Sequence, residues 1–136
     1  QYEDAMICFK RVVGLQYKDV KGLYYLGLAQ AALKDYGSAR DHFKRAIAFG
    51  FRQVDVYQSL GTVYMYLESY EAAAEVYQKG LALKPNGAGM YTMLGVAQMN
   101  LKRYDAAEKA FGQAVKIDPE DVNARRHLEL VHSIKR

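Results

Sequence analysis

A beat of 34 residues runs through the chain and limits what it can fold into. Tyr2, Tyr36, Tyr70 and Tyr104 stand 34 apart. So do Ala5, Ala39, Ala73 and Ala107, and so do Phe9, Phe43, Tyr77 and Phe111. A second set runs Leu26, Leu60, Leu94 and Leu128, with Gly27, Gly61 and Gly95 directly after the first three. Pro85 and Pro119 keep the same interval. A period of this length marks an array of units that cannot bury their apolar faces alone and must stack on their neighbours.

Within each period the pattern is helical. In "MYTMLGVAQMNL", Tyr91, Leu94, Gln98 and Leu101 fall at i, i+3, i+7 and i+10, and Tyr104, Ala107, Phe111 and Ala114 repeat that spacing. Such spacing puts each set on one face of a helix. The stretch between the two helices, "KRY", allows only a tight turn. "KPNGAG" and "DPED", between periods, carry helix-stopping Pro, Gly and Asn. Each period is therefore expected to be a helical hairpin.

Gly27, Gly61 and Gly95 sit inside helical patterns, where each costs about 1 kcal/mol relative to Ala. Close helix approach explains a glycine kept at that position. The recurring Ala39, Ala73 and Ala107 are expected to offer the matching small surface. Tyr36, Tyr70 and Tyr104 are expected to fill the space beside it, each buried ring contributing roughly 2–3 kcal/mol.

These residues resemble the tetratricopeptide repeat, a helix–turn–helix family of 34-residue units. Residues 56–85, "VYQSLGTVYMYLESYEAAAEVYQKGLALKP", carry nearly all of its signature, and residues 90–119 carry most, with Gln98 where Tyr is usual. The period 20–53 departs further, with Leu23 and Gln30 in aromatic places and Phe51 where proline is expected. The resemblance covers the whole chain. It implies an all-α solenoid of about eight helices in a right-handed superhelix, with the first helix of each repeat lining the concave face. The expected organisation is a single domain, residues 1–136. Residues 1–19 read as the second helix of a repeat whose first helix is missing. Residues 20–53, 54–87 and 88–121 read as complete repeats, and 122–136 as a further first helix or a cap.

Composition narrows the function. Apolar runs are short and interrupted, well below the roughly 18–20 residues of a membrane span. Cys8 is the single cysteine, so no internal disulfide or Cys-based zinc site forms, and a cytoplasmic, reducing compartment is expected. The chain opens at Gln1 in mid-pattern, so a targeting segment is expected to lie outside it. The net charge is +4 over residues 1–53, −2 over 54–87, −1 over 88–121 and +3 over 122–136. Nucleic-acid binders concentrate positive charge on one stripe. Here the basic ends flank a slightly acidic middle, so nucleic-acid binding is the most distant reading.

Little chemistry is visible. "HLELVH" fails the zinc-protease pattern, because His127 and His132 lie roughly 140° apart around a helix and Glu129 is displaced. His132 falls where the repeat usually has Tyr, so a packing role is expected. No phosphate loop or nucleophile elbow is present. Neither a catalytic residue nor a metal or cofactor is expected, and the chain is read as non-enzymatic.

What remains is surface. By resemblance, the groove-facing residues are Tyr24, Tyr25 and Leu28, then Gln58, Ser59, Thr62, Met65 and Tyr66. Thr92, Met93, Val96, Met99 and Asn100 follow in the next repeat, and Asn123, Arg126 and His127 in the last helix. The set is largely neutral and rich in Tyr and Met. Tyrosine supplies contact area with a polar tip and methionine adapts to irregular partners, so an apolar or amphipathic peptide is the expected ligand. Family members that clamp acidic chaperone tails carry Lys and Asn four apart, then Asn, then Lys and Arg four apart. The matching places hold Tyr24 and Leu28, Ser59, then Gly89 and Met93. In the next frame they hold Gln58 and Thr62, Met93, then Asn123 and His127. Neither frame makes a carboxylate clamp. The alternative is a self-assembling homo-oligomeric scaffold joined through open helix ends, as in bacterial repeat proteins that coat compartments such as magnetosomes.

Overall fold

The computed structural model describes residues 2–7 and 19–136, and among them every regular element is a helix. α1 is described over residues 2–7. Then come α2 (Val20–Ala32), α3 (Tyr36–Ala48), α4 (Val54–Tyr66), α5 (Tyr70–Leu83), α6 (Ala88–Asn100), α7 (Tyr104–Ile117) and α8 (Val122–Lys135). Helices α2, α4, α6 and α8 start at residues 20, 54, 88 and 122, and α3, α5 and α7 start at 36, 70 and 104, so the helix starts keep the 34-residue beat. Cys8 and Phe9 lie outside the described residues.

Local chemistry sets the ends. Asp19 caps α2, its Oδ1 accepting from Gly22 N at 3.1 Å. Asp121 caps α8 by accepting from Asn123 N at 3.0 Å and Ala124 N at 3.3 Å. Each such cap satisfies an orphan N–H of the first turn. α5 and α7 end just before Pro85 and Pro119. α3 has no proline after it. It closes through Gly50, at φ 105°, with Gly50 N donating to Ile47 O at 3.0 Å and Phe51 N to Ala46 O at 2.9 Å. That pair of bonds is a Schellman closure.

The tight turns inside the hairpins use the same device without glycine. Lys34, Glu68 and Lys102 have φ values of 64°, 58° and 60°. Lys102 N donates to Met99 O at 3.0 Å, and Arg103 N reaches back to Gln98 O at 2.9 Å. Lys34 N and Asp35 N bond to Ala31 O and Gln30 O in the same way, at 3.0 and 2.8 Å. A left-handed conformation strains any residue with a Cβ, so the turn geometry is dictated by the closure and not by the residue in it.

The chain packs as two compact units, Gln1–Glu68 and Ser69–Arg136. In the first, α3 packs against α2 and α4, and α2 touches α4. Leu23, Leu26 and Ala46 form a core with Met6 and Phe51 against it. In the second, α6 packs against α5 and α7, and α8 covers α7 while touching α6. Ala107, Phe111 and Val131 form the core, joined by Val96, Met99, Tyr104 and Leu128.

The glycines meet a different partner from the one expected. A methyl group on Gly27 would lie 2.6 Å from Phe43 Cε1, and one on Gly95 would lie 2.5 Å from Phe111 Cε1. The small alanines of the facing helix are buried (Ala39, Ala73 and Ala107, all 0% exposed), but it is the aromatic ring of the same hairpin that occupies the glycine's open face. Phe43, Tyr77 and Phe111 are each 0% exposed. Tyr36, Tyr70 and Tyr104 are only half-buried, so they flank the contact without forming its centre.

Two consequences can be measured. Gly95→Ala forces a methyl into a fully buried ring, an overpacking cost of about 1–3 kcal/mol that exceeds the roughly 1 kcal/mol gained in helix propensity. Gly112, in the middle of α7, has nothing within 4 Å of the methyl position. Gly112→Ala should therefore stabilise by about 0.5–1 kcal/mol. Urea unfolding should give opposite signs for the two. In the turn, Lys102→Gly should raise stability by roughly 0.5–1 kcal/mol, because relief of left-handed strain outweighs the added chain entropy. A lower midpoint for Lys102→Gly would show the turn to be unstrained.

Candidate functional site

In the first unit α2 and α4 lie side by side, and an open pocket of ≈350 Å³ sits over them. Leu28 and Ala31 of α2 form one wall and Gln58, Ser59, Thr62 and Tyr66 of α4 form the other. Tyr36, Phe43 and Val63 close the base. Five residues expected in the groove therefore meet here: Leu28, Gln58, Ser59, Thr62 and Tyr66. The first helices of successive hairpins are brought together because α3 holds both, with Phe43 seated on Gly27.

Tyrosines shape the rim. Tyr66 is 64% exposed, yet its ring stacks on Tyr36 at 4.6 Å between centroids with the planes parallel. That contact fixes a large, accessible aromatic face at the pocket's edge. Tyr24 is placed deeper. Its ring lies 5.1 Å from Phe51 and 5.8 Å from Phe43, so it is tied into the core and reaches the site only through a hydrogen bond with Ser59. Burial pushes the Tyr24 hydroxyl above the ordinary tyrosine range, the Ser59 hydrogen bond opposes this, and the nearby charge of Asp55 adds to the rise. Tyr25 is half-exposed and 5.5 Å from Tyr24. Met65 is half-buried outside the pocket lining.

In the second unit the expected groove residues are used differently. Val96 and Met99 pack against the Ala107, Phe111 and Val131 core. His127 stacks on Phe111 at 5.0 Å and 19°, and its Nδ1 donates to Asn123 O at 2.7 Å. Thr92 Oγ1 donates to Ala88 O at 3.2 Å and Asn100 Nδ2 to Val96 O at 2.9 Å. These polar groups are spent on their own helix. Met93 is half-buried, while Asn123 and Arg126 are exposed. His132 departs from the packing role expected of it. It is half-exposed and pairs with Glu108 at 2.9 Å, beside Lys135, which bridges Asp105 at 2.7 Å and Glu108 at 2.9 Å. Those hydrogen bonds and charges hold the Asp105 carboxyl below, and the Lys135 ammonium above, their ordinary ranges. The position is taken by an ion-pair cluster because Asp105 and Glu108 on α7 face the end of α8.

Among the described residues no three His, Cys, Asp or Glu side chains form a metal-binding group. No helix there is long and apolar enough to cross a membrane.

A profile of the tetratricopeptide repeat family matches residues 1–51 and 59–122, and the chain belongs to that family. No curated protein sequence matches it as a relative. Solved structures share the fold. A crystal structure of MamA superposes with TM-score 0.95 at 22% identity, covering 98% of this chain and 78% of that one. YrrB, described as a TPR protein with an unusual peptide-binding site, gives 0.92 at 23% identity over 98% and 69%. The first TPR of Spaghetti, bound to an HSP90 peptide, gives 0.79 at 16% identity over 85% and 91%.

The partly buried hydroxyl of Tyr24 gives a pH test. Its raised folded-state value means that the stability tied to the neutral phenol is fully present below about pH 10 and is lost as pH rises through that raised value. Tyr24→Phe keeps the ring contacts and removes the ionisation. The variant should lose less stability than the parent between about pH 9 and 11, measured by urea unfolding. Parallel curves would show that the hydroxyl is solvated.

Proposed function

We propose that this tetratricopeptide repeat protein is a non-enzymatic interaction scaffold that takes an apolar or amphipathic peptide segment of a partner protein along α2 and α4. The observation that carries this is the Leu28–Gln58–Ser59–Thr62–Tyr66 pocket, apolar on the α2 side and lined on the α4 side by the Gln58 amide and by hydroxyls already engaged, Thr62 Oγ1 donating to Gln58 O at 3.0 Å and Ser59 bonded to Tyr24. A volume of ≈350 Å³ suits one or two anchoring side chains. Tyr66, already stacked on Tyr36, loses little side-chain freedom on binding, which favours affinity. The surroundings carry no Lys or Arg in the pocket wall, so an acidic tail has no partner charge here. Recognition rests on shape, apolar contact and a few neutral hydrogen bonds, as in grooves that hold a helix or an extended segment.

A second reading is self-assembly through α8. Val122, Leu130 and Ile134 are 56%, 49% and 45% exposed, and Leu130 and Ile134 lie four apart on one face. Like surfaces of this kind bury each other when copies meet.

One experiment separates the two. The chain, a Leu28→Glu/Tyr66→Ala variant and a Leu130→Glu/Ile134→Glu variant would be matched for helicity by circular dichroism. Each would then be used for affinity capture of partners and for light scattering over a range of concentrations. Groove recognition predicts a captured protein lost at least tenfold in the first variant, a cost of about 1.4 kcal/mol or more, with unchanged mass. Retention of that protein by the first variant refutes the groove. A concentration-dependent rise in mass that only the α8 variant abolishes establishes the second reading.

A further inference from the structure

A cleft of ≈390 Å³ runs between α5 and α7 in the second unit. Both helices pack on α6, which supplies the floor through Tyr91, Leu94 and Gln98. Ala106 and Ala110 of α7 extend the apolar part of that floor. Gln98 Oε1 has essentially no accessible surface, so it offers nothing to an occupant. The accessible polar groups come from three helices: Gln78 from α5, Tyr91 from α6, Lys109 and Gln113 from α7. Gln78, Lys109 and Gln113 are exposed and Tyr91 is half-buried. Among the described residues none of these four makes a hydrogen bond or ion pair. The α2–α4 pocket differs in this respect, since its Ser59 and Thr62 hydroxyls are already engaged. One end of the cleft is shut. Arg103, directly before α7, donates to both carboxylate oxygens of Glu71 in the first turn of α5, at 3.2 and 2.6 Å. That fork joins the two helices one turn before Ala106, and a chain laid in the cleft from its open end has to stop there.

The lining selects the occupant. Lys109 is the charged residue of the wall, and an ammonium group favours a carboxylate. Glu75, one turn before Gln78 on α5, stands outside the lining. Each glutamine amide carries donors and an acceptor, which match the C=O and N–H of a peptide unit. Leu94, Ala106 and Ala110 accept an apolar side chain. Order along the cleft matters too. Lys109 stands one turn nearer the shut end than Gln113, so the carboxylate enters first and the peptide units follow it. We propose that the cleft between α5 and α7 captures the C-terminal residue of a partner protein. Its carboxylate pairs with Lys109, its peptide unit lies between Gln78 and Gln113, and its apolar side chain covers Leu94 and the two alanines. The volume falls in the size range of ligand sites, and capture of a chain end is a recurring mode of peptide recognition. The site lies within the second unit and does not depend on the α2–α4 pocket.

The test uses the whole, isotope-labelled chain at low salt, with N-acetylalanylleucine as probe. Heteronuclear NMR should show saturable shifts at the Gln78 and Gln113 side-chain amides and at the Ala106 and Ala110 backbone amides, with a roughly millimolar Kd for so small a ligand. The same dipeptide with its carboxylate capped as an amide should bind about three- to fivefold more weakly, the effect of one exposed ion pair. Lys109→Gln, a surface change that leaves the core intact, should weaken the free acid by the same factor and leave the capped form unaffected. Added salt should erase the difference between the two probes. No saturable shift in the parent, equal binding of the acid and its amide, or unchanged affinity of the acid in Lys109→Gln would each overturn the proposal. N-acetylglutamylleucinamide carries a carboxylate but no free end, and its binding as tightly as the acid would overturn the assignment to a chain terminus.

Discussion

An aromatic ring pressed on a glycine anchors the α2–α3 and α6–α7 hairpins. Phe43 covers Gly27 and Phe111 covers Gly95, and in both cases no side chain larger than hydrogen fits between ring and backbone. The glycine costs helix stability, while the fully buried ring contributes roughly 2–3 kcal/mol and fixes how the two helices lie. Neighbouring elements then pack on the ring. Tyr24 leans on Phe43 in the first unit, and His127 of α8 stacks on Phe111 in the second. A side chain set by the hairpin thus becomes the surface on which the next element is registered. Because α3 is anchored to α2 in this way and also packs on α4, the α2–α4 pocket inherits its shape from the same contact.

The 34-residue beat made the helices legible in the sequence, since period-keeping positions are those whose environment repeats. Helix starts, the proline stops at 85 and 119, and the buried Leu–Gly pairs follow from it. The contact partner of the glycine did not, because a glycine reports that something comes close without naming it. Ala39 and Phe43 lie on the same face of α3, and spacing alone does not choose between them. The turn conformations at Lys34, Glu68 and Lys102 were equally hidden. Nothing in those side chains signals a left-handed backbone, which is imposed by closure bonds to carbonyls of the preceding helix.

The candidate site was legible in its first half and not in its second. Leu28, Gln58, Ser59, Thr62 and Tyr66 meet in one pocket because their helices touch. Val96 occupies the same repeat position as Leu28 and Thr62, yet it packs into a core with Met99. Thr92 and Asn100 turn their donors onto their own backbone, as Thr62 does in the first unit. Position in the repeat says which face a residue is on. It does not say whether the neighbouring helix has left that face open, and this depends on side chains elsewhere that do not keep the beat.

Departures from the beat are therefore where individuality enters. Glu129 stands where Gly27 and Gly95 stand in earlier helices. A carboxylate side chain cannot receive a ring as those glycines do, so α8 cannot form the inner face of a hairpin of this kind. It packs chiefly on α7 and touches α6, held by Val131 in the core and by Lys135 and His132 on Asp105 and Glu108. The buried glutamines make the complementary case. Gln30 and Gln98 are both buried, and where Gln30 meets His42, Ala110 at the matching position offers Gln98 Oε1 no such donor. The same residue at the same repeat position is paired or unpaired according to what faces it, so individuality in a repeat array is read from pairs across a hairpin as well as from positions along it.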